Sequence, residues 1–437
     1  MIEKYYSGVI EQIYNRIGKE TRNIVMANYS NDFSIENLEV IRRYQSNEDN
    51  VFFAYSEFSY NTLVGAYEPF LDIICNMHRR FIGGSFDDFQ KECGVYYLHR
   101  QVLNSYYETG ECFREETVLL NEVAYEQRRM TMAIADMLKR LSEVRPLMIV
   151  INRFQMASKS SIETIKYLID NPCANIGIVL GVNAIVKGAD STVEVWDRIV
   201  ESLEDRSAIY YIGSAGPLKN NIKTTNDDEL YITMNFEQSI QEASNIMEFL
   251  DYEQARRGCR IIEHKIKFEN AWIDEKSLRR FYLVYARTSV LLGEMSKAIE
   301  LMNEYKALIP ENDSEHYFSL YYFMKGTCYM YQGKLEKAEG CAKKAYDYAL
   351  LADDELLEFK SELLSVMIKM SGWYNIFFCV QDIPVSDEII EKLIKHGYRN
   401  HLAHIYIYAY DNSRDVVKQS FYDESLLKQL YNSLHGN

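Results

Sequence analysis

The sequence predicts a mainly parallel α/β domain over residues 1–235, followed by an all-α helical-repeat domain over residues 236–437. Three observations carry this. Short apolar runs alternate with helical segments through the first half, as strand-helix-strand units with parallel strands do. Strand-like runs largely stop after residue 235. The second half then holds two similar stretches whose matching glycines, Gly293 and Gly333, lie 40 residues apart.

The elements follow in order. "GVIEQIYNRI" has helical spacing, and "RNIVMAN" is a short apolar run ending in the polar turn "YSND". "SIENLEVIRRYQ" is a helix, with Ser34 a plausible N-cap and Asn37 three residues on. A second strand, "VFFAYSEF", leads through "YNTLVGAYEPFLDIICNMHRRF" into long helical segments. In "REETVLLNEVAYEQRRMTMAIADMLKRLSEV", Leu119, Leu120, Val123, Met130, Met132, Ile134, Leu138 and Leu141 supply an apolar face. "PLMIVI" is almost wholly apolar, as a parallel strand covered on both faces requires. "SSIETIKYLID" makes the next helix. "NIGIVLGVN", "SAIYYIG" and "ELYITMNF" are three further strands, and "EQSIQEASNIMEFL" is a helix.

A chain of 437 residues exceeds the ~100 to 200 expected of one domain. The formal charge of −16 disfavours non-specific attachment to nucleic acid or to anionic membranes, both polyanions held mainly by Lys and Arg. No apolar run approaches the ~18 residues of a membrane span. The N-terminal "MIEKYYSGVIEQIY" is charged and amphipathic, unlike a signal peptide. A cytoplasmic protein with neither membrane nor direct nucleic-acid contact is the expectation. The eight cysteines form no C-x-x-C pair, so packed, reduced thiols are expected in place of a zinc or redox site.

The stretch "RPLMIVINRFQMASKSS" carries a family resemblance. It resembles the signal-transduction ATPases with numerous domains and the AAA-like modules of LuxR-type transcription regulators. There a helix ends in Arg-Pro, a strand ends in paired acids, and a Leu-Gln-Trp-Ala turn leads into a Ser-Ser helix start. Arg145, Pro146, Gln155, Ala157, Ser160 and Ser161 match without a gap. "AYEPFLDII" is similar to the family's Tyr-x-Pro-Phe segment, and "LYITMNFEQSIQEASNIM" to its closing strand and helix. The resemblance covers roughly residues 20 to 250 and implies a P-loop-NTPase-like α/β domain.

Its chemistry is missing. In G-x-x-x-x-G-K-[ST], glycines let backbone amides approach the phosphates, Lys neutralises them and Ser/Thr holds Mg²⁺. The equivalent stretch is "ANYSNDFS", with Ala27 and Asp32 at the glycines, Phe33 at the lysine and only Ser34 retained. Taken alone, that stretch reads as plain α/β structure more readily than as a relic phosphate loop. Asn152 replaces the acid that holds Mg²⁺, and Arg153 the acid that polarises water. Asn is a poor base and Arg is always protonated. These six positions are therefore expected to be a degenerate, non-functional nucleotide site. Cofactors are expected to be absent, with ATP and Mg²⁺ the disfavoured alternative. Arg153 has two readings: an exposed structural arginine at a strand end, or, less favoured, a fork onto the phosphates of a nucleotide held without hydrolysis.

In the second half, Gly326, Tyr329, Gly333, Ala338, Ala342 and Ala345 fall on the tetratricopeptide pattern of small residues between paired helices, and Ala286, Gly293, Ala298 and Pro310 partly do. These units resemble the longer tetratricopeptide-like repeats that follow the ATPase module in the same regulators. Such a solenoid implies a surface for a protein or peptide partner. The 35 tyrosines, dense here, are read as packing in preference to a recognition surface. His396, His401 and His404 are read as a turn and helix start, with metal the minority alternative. No Gly-x-Ser-x-Gly elbow or HExxH helix occurs. The resemblance implies bacterial signalling by a non-catalytic regulator. The chain is expected to be the sensor portion of a longer protein or a free-standing relative, and a weak, unorthodox ATPase switch is the alternative.

Overall fold

The computed structural model describes residues 2–29, 38–46, 50–59, 63–183, 186–187, 193–212, 223–224, 235–268, 273–312, 314–375 and 386–412. The chain divides into two compact units, residues 1–113 with 121–272 and residues 114–120 with 273–437.

In the first unit, helix α1 (Ile2–Arg16) precedes strand β1 (Ile24–Tyr29), helix α2 (Glu39–Ser46) and strand β2 (Phe52–Glu57). Helices α3 (Phe70–Met77), α4 (Phe86–Glu92), α5 (Tyr97–Thr109) and α6 (Val123–Val144) lead to strand β3 (Leu147–Asn152). Helix α7 (Lys159–Asp170), strand β4 (Ile176–Asn183), the two-residue strand β5 (Val186–Lys187), helix α8 (Val193–Glu204) and strand β6 (Ile209–Ile212) follow. The two-residue β7 (Lys223–Thr224) pairs with β5, and helices α9 (Phe236–Glu248) and α10 (Tyr252–Phe268) end the unit.

Among the described residues the main sheet has five parallel strands in the order β2-β3-β4-β1-β6. Every residue of β3 and β4 is buried, as their unbroken apolar runs require of strands covered on both faces. The side chains of Val25, Ala27 and Tyr29 join Tyr6, Ile10 and Ile13 of α1 and Val40 and Ile41 of α2 in one core cluster. Helix α1 comes close because β4 has glycines beneath it. A Cβ on Gly177 would lie 2.8 Å from Ile17 Cδ1, and one on Gly181 would collide with Tyr6.

Two expectations are corrected. The helical reading of "REETVLLNEV" fails for residues 114–119, which are not helical; a short 3₁₀ turn, Leu120–Glu122, precedes α6. Their apolar side chains are buried, but Glu116 bonds with His401 far along the chain instead of joining a helix face. In "ELYITMNF", Asn235 and Phe236 are the cap and first residue of α9, held by a capping box with Gln238; residues 229–234 lie outside the described residues. The units also part after residue 272, whereas the sequence places the change at 235/236. Helices α9 and α10 are bound into the α/β unit: Gln127 Nε2 donates to Leu250 O at 2.5 Å, Gln254 Nε2 to Val64 O at 3.0 Å, and Ser160 N to Asp251 Oδ2 at 3.0 Å.

The second unit is helical. Helices α11 (Glu275–Leu291) and α12 (Met295–Ala307), α13 (Ser314–Tyr331) and α14 (Leu335–Leu351), and α16 (Asp387–Lys395) and α17 (Arg399–Asn412) form hairpins, with α15 (Glu355–Asn375) packed on α14. Gly293, Gly333 and Gly397 close the hairpins at φ 77°, 71° and 69°. Each turn has the same pair of bonds, Gly333 N to Met330 O and Lys334 N to Tyr329 O, both at 2.9 Å, being one instance. Gly326 lets α13 meet α14 and α15, since a Cβ there would lie 3.0 Å from Leu364 Cδ2 and 3.3 Å from Cys341 Cβ. Tyr285, Tyr305 and Tyr321 are buried, in keeping with tyrosine as packing material. No helix among the described residues is long and apolar enough to cross a membrane.

Candidate functional site

In an open parallel sheet, ligands sit beyond the carboxyl ends of the strands, where adjacent connections depart in opposite directions. Here that point is the end of β1. The chain leaves β1 for β2 at the far edge, returns through β3 to β4, and then passes β1 to reach β6. With right-handed crossovers, the connection carrying α2 lies on the face opposite to those carrying α6, α7 and α8. The last residues of β1, Ala27 to Tyr29, and the ends of β3 and β4 therefore define the candidate site.

Ala27 is fully buried, paired with Gly181 on one side and Tyr210 on the other. Asp32, Phe33 and Ser34 lie outside the described residues. Asn152 ends β3 and is fully buried. The Tyr29 hydroxyl donates to Asn152 Oδ1 at 2.6 Å, joining the end of β1 to the end of β3 across the intervening β4. The Tyr6 ring meets Tyr29 edge-on at 6.4 Å and lies over Gly181, where an added Cβ would also come within 2.9 Å of Asn152 Oδ1. Burial pushes the Tyr6 hydroxyl well above the usual phenol range, and Tyr29, Tyr55 and Glu57 add to this. The Tyr6 and Tyr29 rings and the Asn152 amide meet at these strand ends.

Arg153 stands beside Asn152 in the left-handed region at φ 54°, which sends the chain into the short 3₁₀ turn Phe154–Met156. Its Nη1 lies 3.1 Å from Glu57 Oε1 and donates to Phe58 O at 3.4 Å, and Glu57 also accepts from the Tyr55 hydroxyl. The Arg153 side chain is only 22% exposed, so the reading as an exposed arginine is corrected: it is a covered partner for the carboxylate at the end of β2.

The residues that carry the family resemblance have structural tasks. Gln155 Oε1 accepts from Asn183 N at 3.2 Å, fixing the turn after β3 to the end of β4. Ser158 caps α7, Ser160 Oγ accepts from Tyr67 N at 3.0 Å, and Ser161 Oγ donates to Glu68 O at 2.8 Å. The "AYEP" and "KSS" segments are thus bonded to each other, although more than 90 residues separate them.

Beside Glu57 opens a cavity of about 450 Å³ lined by Glu68, Asp72, Tyr106, Glu242 and Phe249, with no Lys or Arg among the described residues of its wall. Gly65 N donates to Glu68 Oε2 at 2.9 Å, and the Tyr106 hydroxyl to Asp72 Oδ1 at 3.0 Å. Burial, then the Glu68 and Asp72 charges, push Glu242 up to about 7. Carboxylates without a cation repel phosphate.

No family model, curated protein or solved structure matches the chain.

His396 and His401 have separate partners. His396 stacks on Phe359 at 4.7 Å, while His401 Nδ1 lies 2.8 Å from Glu116 Oε1, a pair with side chains 5% and 0% exposed. Among the described residues no group of three His, Cys, Asp or Glu could hold a metal ion. Sequence reasoning missed Tyr6, Glu57 and Glu116. Of these, only Glu57 left a signal, an acid ending the strand that neighbours the one ending before Arg153.

Proposed function

We propose that this protein is a non-catalytic regulator. Its α/β unit has the layout of a P-loop ATPase without the nucleotide chemistry, and its tetratricopeptide-like helical unit binds a protein or peptide partner. The Tyr29–Asn152 hydrogen bond carries the first part. A phosphate loop and the acids that serve its Mg²⁺ act on a single ion, so the strands bearing them must end close together. The contact between β1 and β3 supports that pairing of strands, while the groups that meet are a phenol and an amide. The ion pair between Arg153 and Glu57 occupies the one cation of the pair of replaced acids. The second part is supported by the stacked hairpins with recurring αL glycines, which bury one face against neighbours and leave another for a ligand.

Thermal unfolding with and without millimolar Mg-ATP tests the first part. A ligand present at 100 times its Kd stabilises the folded state by about 2.7 kcal/mol, a readily visible rise in Tm. No rise is expected; a rise would establish nucleotide binding and favour a switch.

A further inference from the structure

We infer that residues 114–120 are a ligand held in cis: the helical unit has a site that reads a non-helical acidic peptide, and the chain's own segment occupies it. This rests on the reading of the helical unit as a peptide binder, and it names the kind of peptide.

The segment belongs to the second unit although residues 113 and 121 on either side of it belong to the first. It is held at its main chain and at one side chain. The Tyr398 hydroxyl donates to Glu115 O at 2.5 Å, and Leu120 N donates to the Tyr331 hydroxyl at 3.3 Å. Between them, Glu116 Oε1 accepts from His401 N at 2.8 Å and lies 2.8 Å from His401 Nδ1. The carboxylate thereby sits at the first turn of α17, where backbone N–H groups lack intrahelical partners and negative charge is favoured. Val118 and Leu119, each 7% exposed, bury the apolar part of the segment.

The two main-chain bonds give affinity that does not depend on sequence, while the carboxylate position and the two apolar positions give selectivity. A connector needing only to be packed away would be served better by apolar residues, because a buried carboxylate is costly unless fully partnered. The partner is accordingly a non-helical peptide with a glutamate, one intervening residue and two apolar residues. Tethering gives the cis segment an effective concentration on the order of millimolar, so it masks the site against a free peptide.

The test is fluorescence anisotropy with the labelled peptide FREETVLL, the sequence of residues 113–120, titrated with the full chain. Glu116→Gln and Glu116→Ala chains are expected to bind it at least ten-fold tighter than wild type. Adding His401→Ala should abolish the gain, and a probe with glutamine for its second glutamate should bind at least ten-fold weaker. Binding by the two Glu116 variants no tighter than wild type, with far-ultraviolet circular dichroism showing either one folded, overturns the inference. A random peptide library panned on wild type and Glu116→Gln separates the two claims. Binders that favour neither chain and lack the acidic position overturn the inference and leave peptide binding standing. No binder on either chain, with FREETVLL also silent, overturns both.

Discussion

The phenol of Tyr29 and the amide of Asn152 meet at 2.6 Å with both residues fully buried, and each matters to the other. Tyr29→Phe removes the donor and should cost about 1–2 kcal/mol in chemical denaturation, the usual range for a buried hydrogen bond lost on one side. Asn152→Asp restores the acid that the family resemblance implies but buries a charge beside a phenol and an amide-lined strand end. It should destabilise the protein at neutral pH by about 2 kcal/mol or more and release no phosphate from ATP in a coupled assay. Glu242 gives a pH dependence. Its ordinary pKa is 4.5 and its folded value is about 7, so between those limits the folded protein holds a proton that the unfolded chain has released. Stability therefore falls as pH rises through that window. Glu242→Gln should raise Tm clearly at pH 8, by the equivalent of about 1–2 kcal/mol, and little at pH 5. Asn152 and Arg153 were legible as non-acids because neither residue type can take the role that the family resemblance would give its position. The partners, Tyr6 on α1 and Glu57 on β2, were not, since which strand ends become neighbours is decided by the order of the whole sheet.

Strands buried on both faces were the most legible elements. "PLMIVI" and "NIGIVLGVN" are apolar throughout and contribute β3 and β4. Hairpin turns were legible where glycine marks them, for only glycine takes φ near +70° without strain. Gly333→Ala should cost about 1 kcal/mol in urea unfolding, as should Gly293→Ala, because each turn needs that conformation for its paired bonds. The turn from α14 to α15 has the same conformation at Asp353, φ 54°, and there Asp353→Gly should be neutral or stabilising by up to about 1 kcal/mol. Residues 114–119 deceived the periodicity argument. Leu119, Leu120 and Val123 have helical spacing, yet the first of these belongs to a non-helical segment. Helical spacing reports that side chains are buried; it does not report against what, and here the choice was made by His401, Tyr398 and Tyr331 more than 200 residues away.

At the scale of the molecule, fold and chemistry come apart. The residues that build the frame, Gln155, Ser160, Ser161 and the apolar strands, hold an α/β unit together through bonds that need no ligand. Of the positions to which the family resemblance would give a nucleotide role, Asn152 and Arg153 are engaged internally, one with a phenol and the other with a glutamate. Such a unit is a stable support, which suits a protein whose activity we assign to its helical half. The most direct test of that account is calorimetric titration of Mg-ATP into the full chain at millimolar nucleotide. The account predicts heats of dilution alone. A saturable isotherm with one site per chain, abolished by Asn152→Ala or Arg153→Ala in a folded protein, would contradict it.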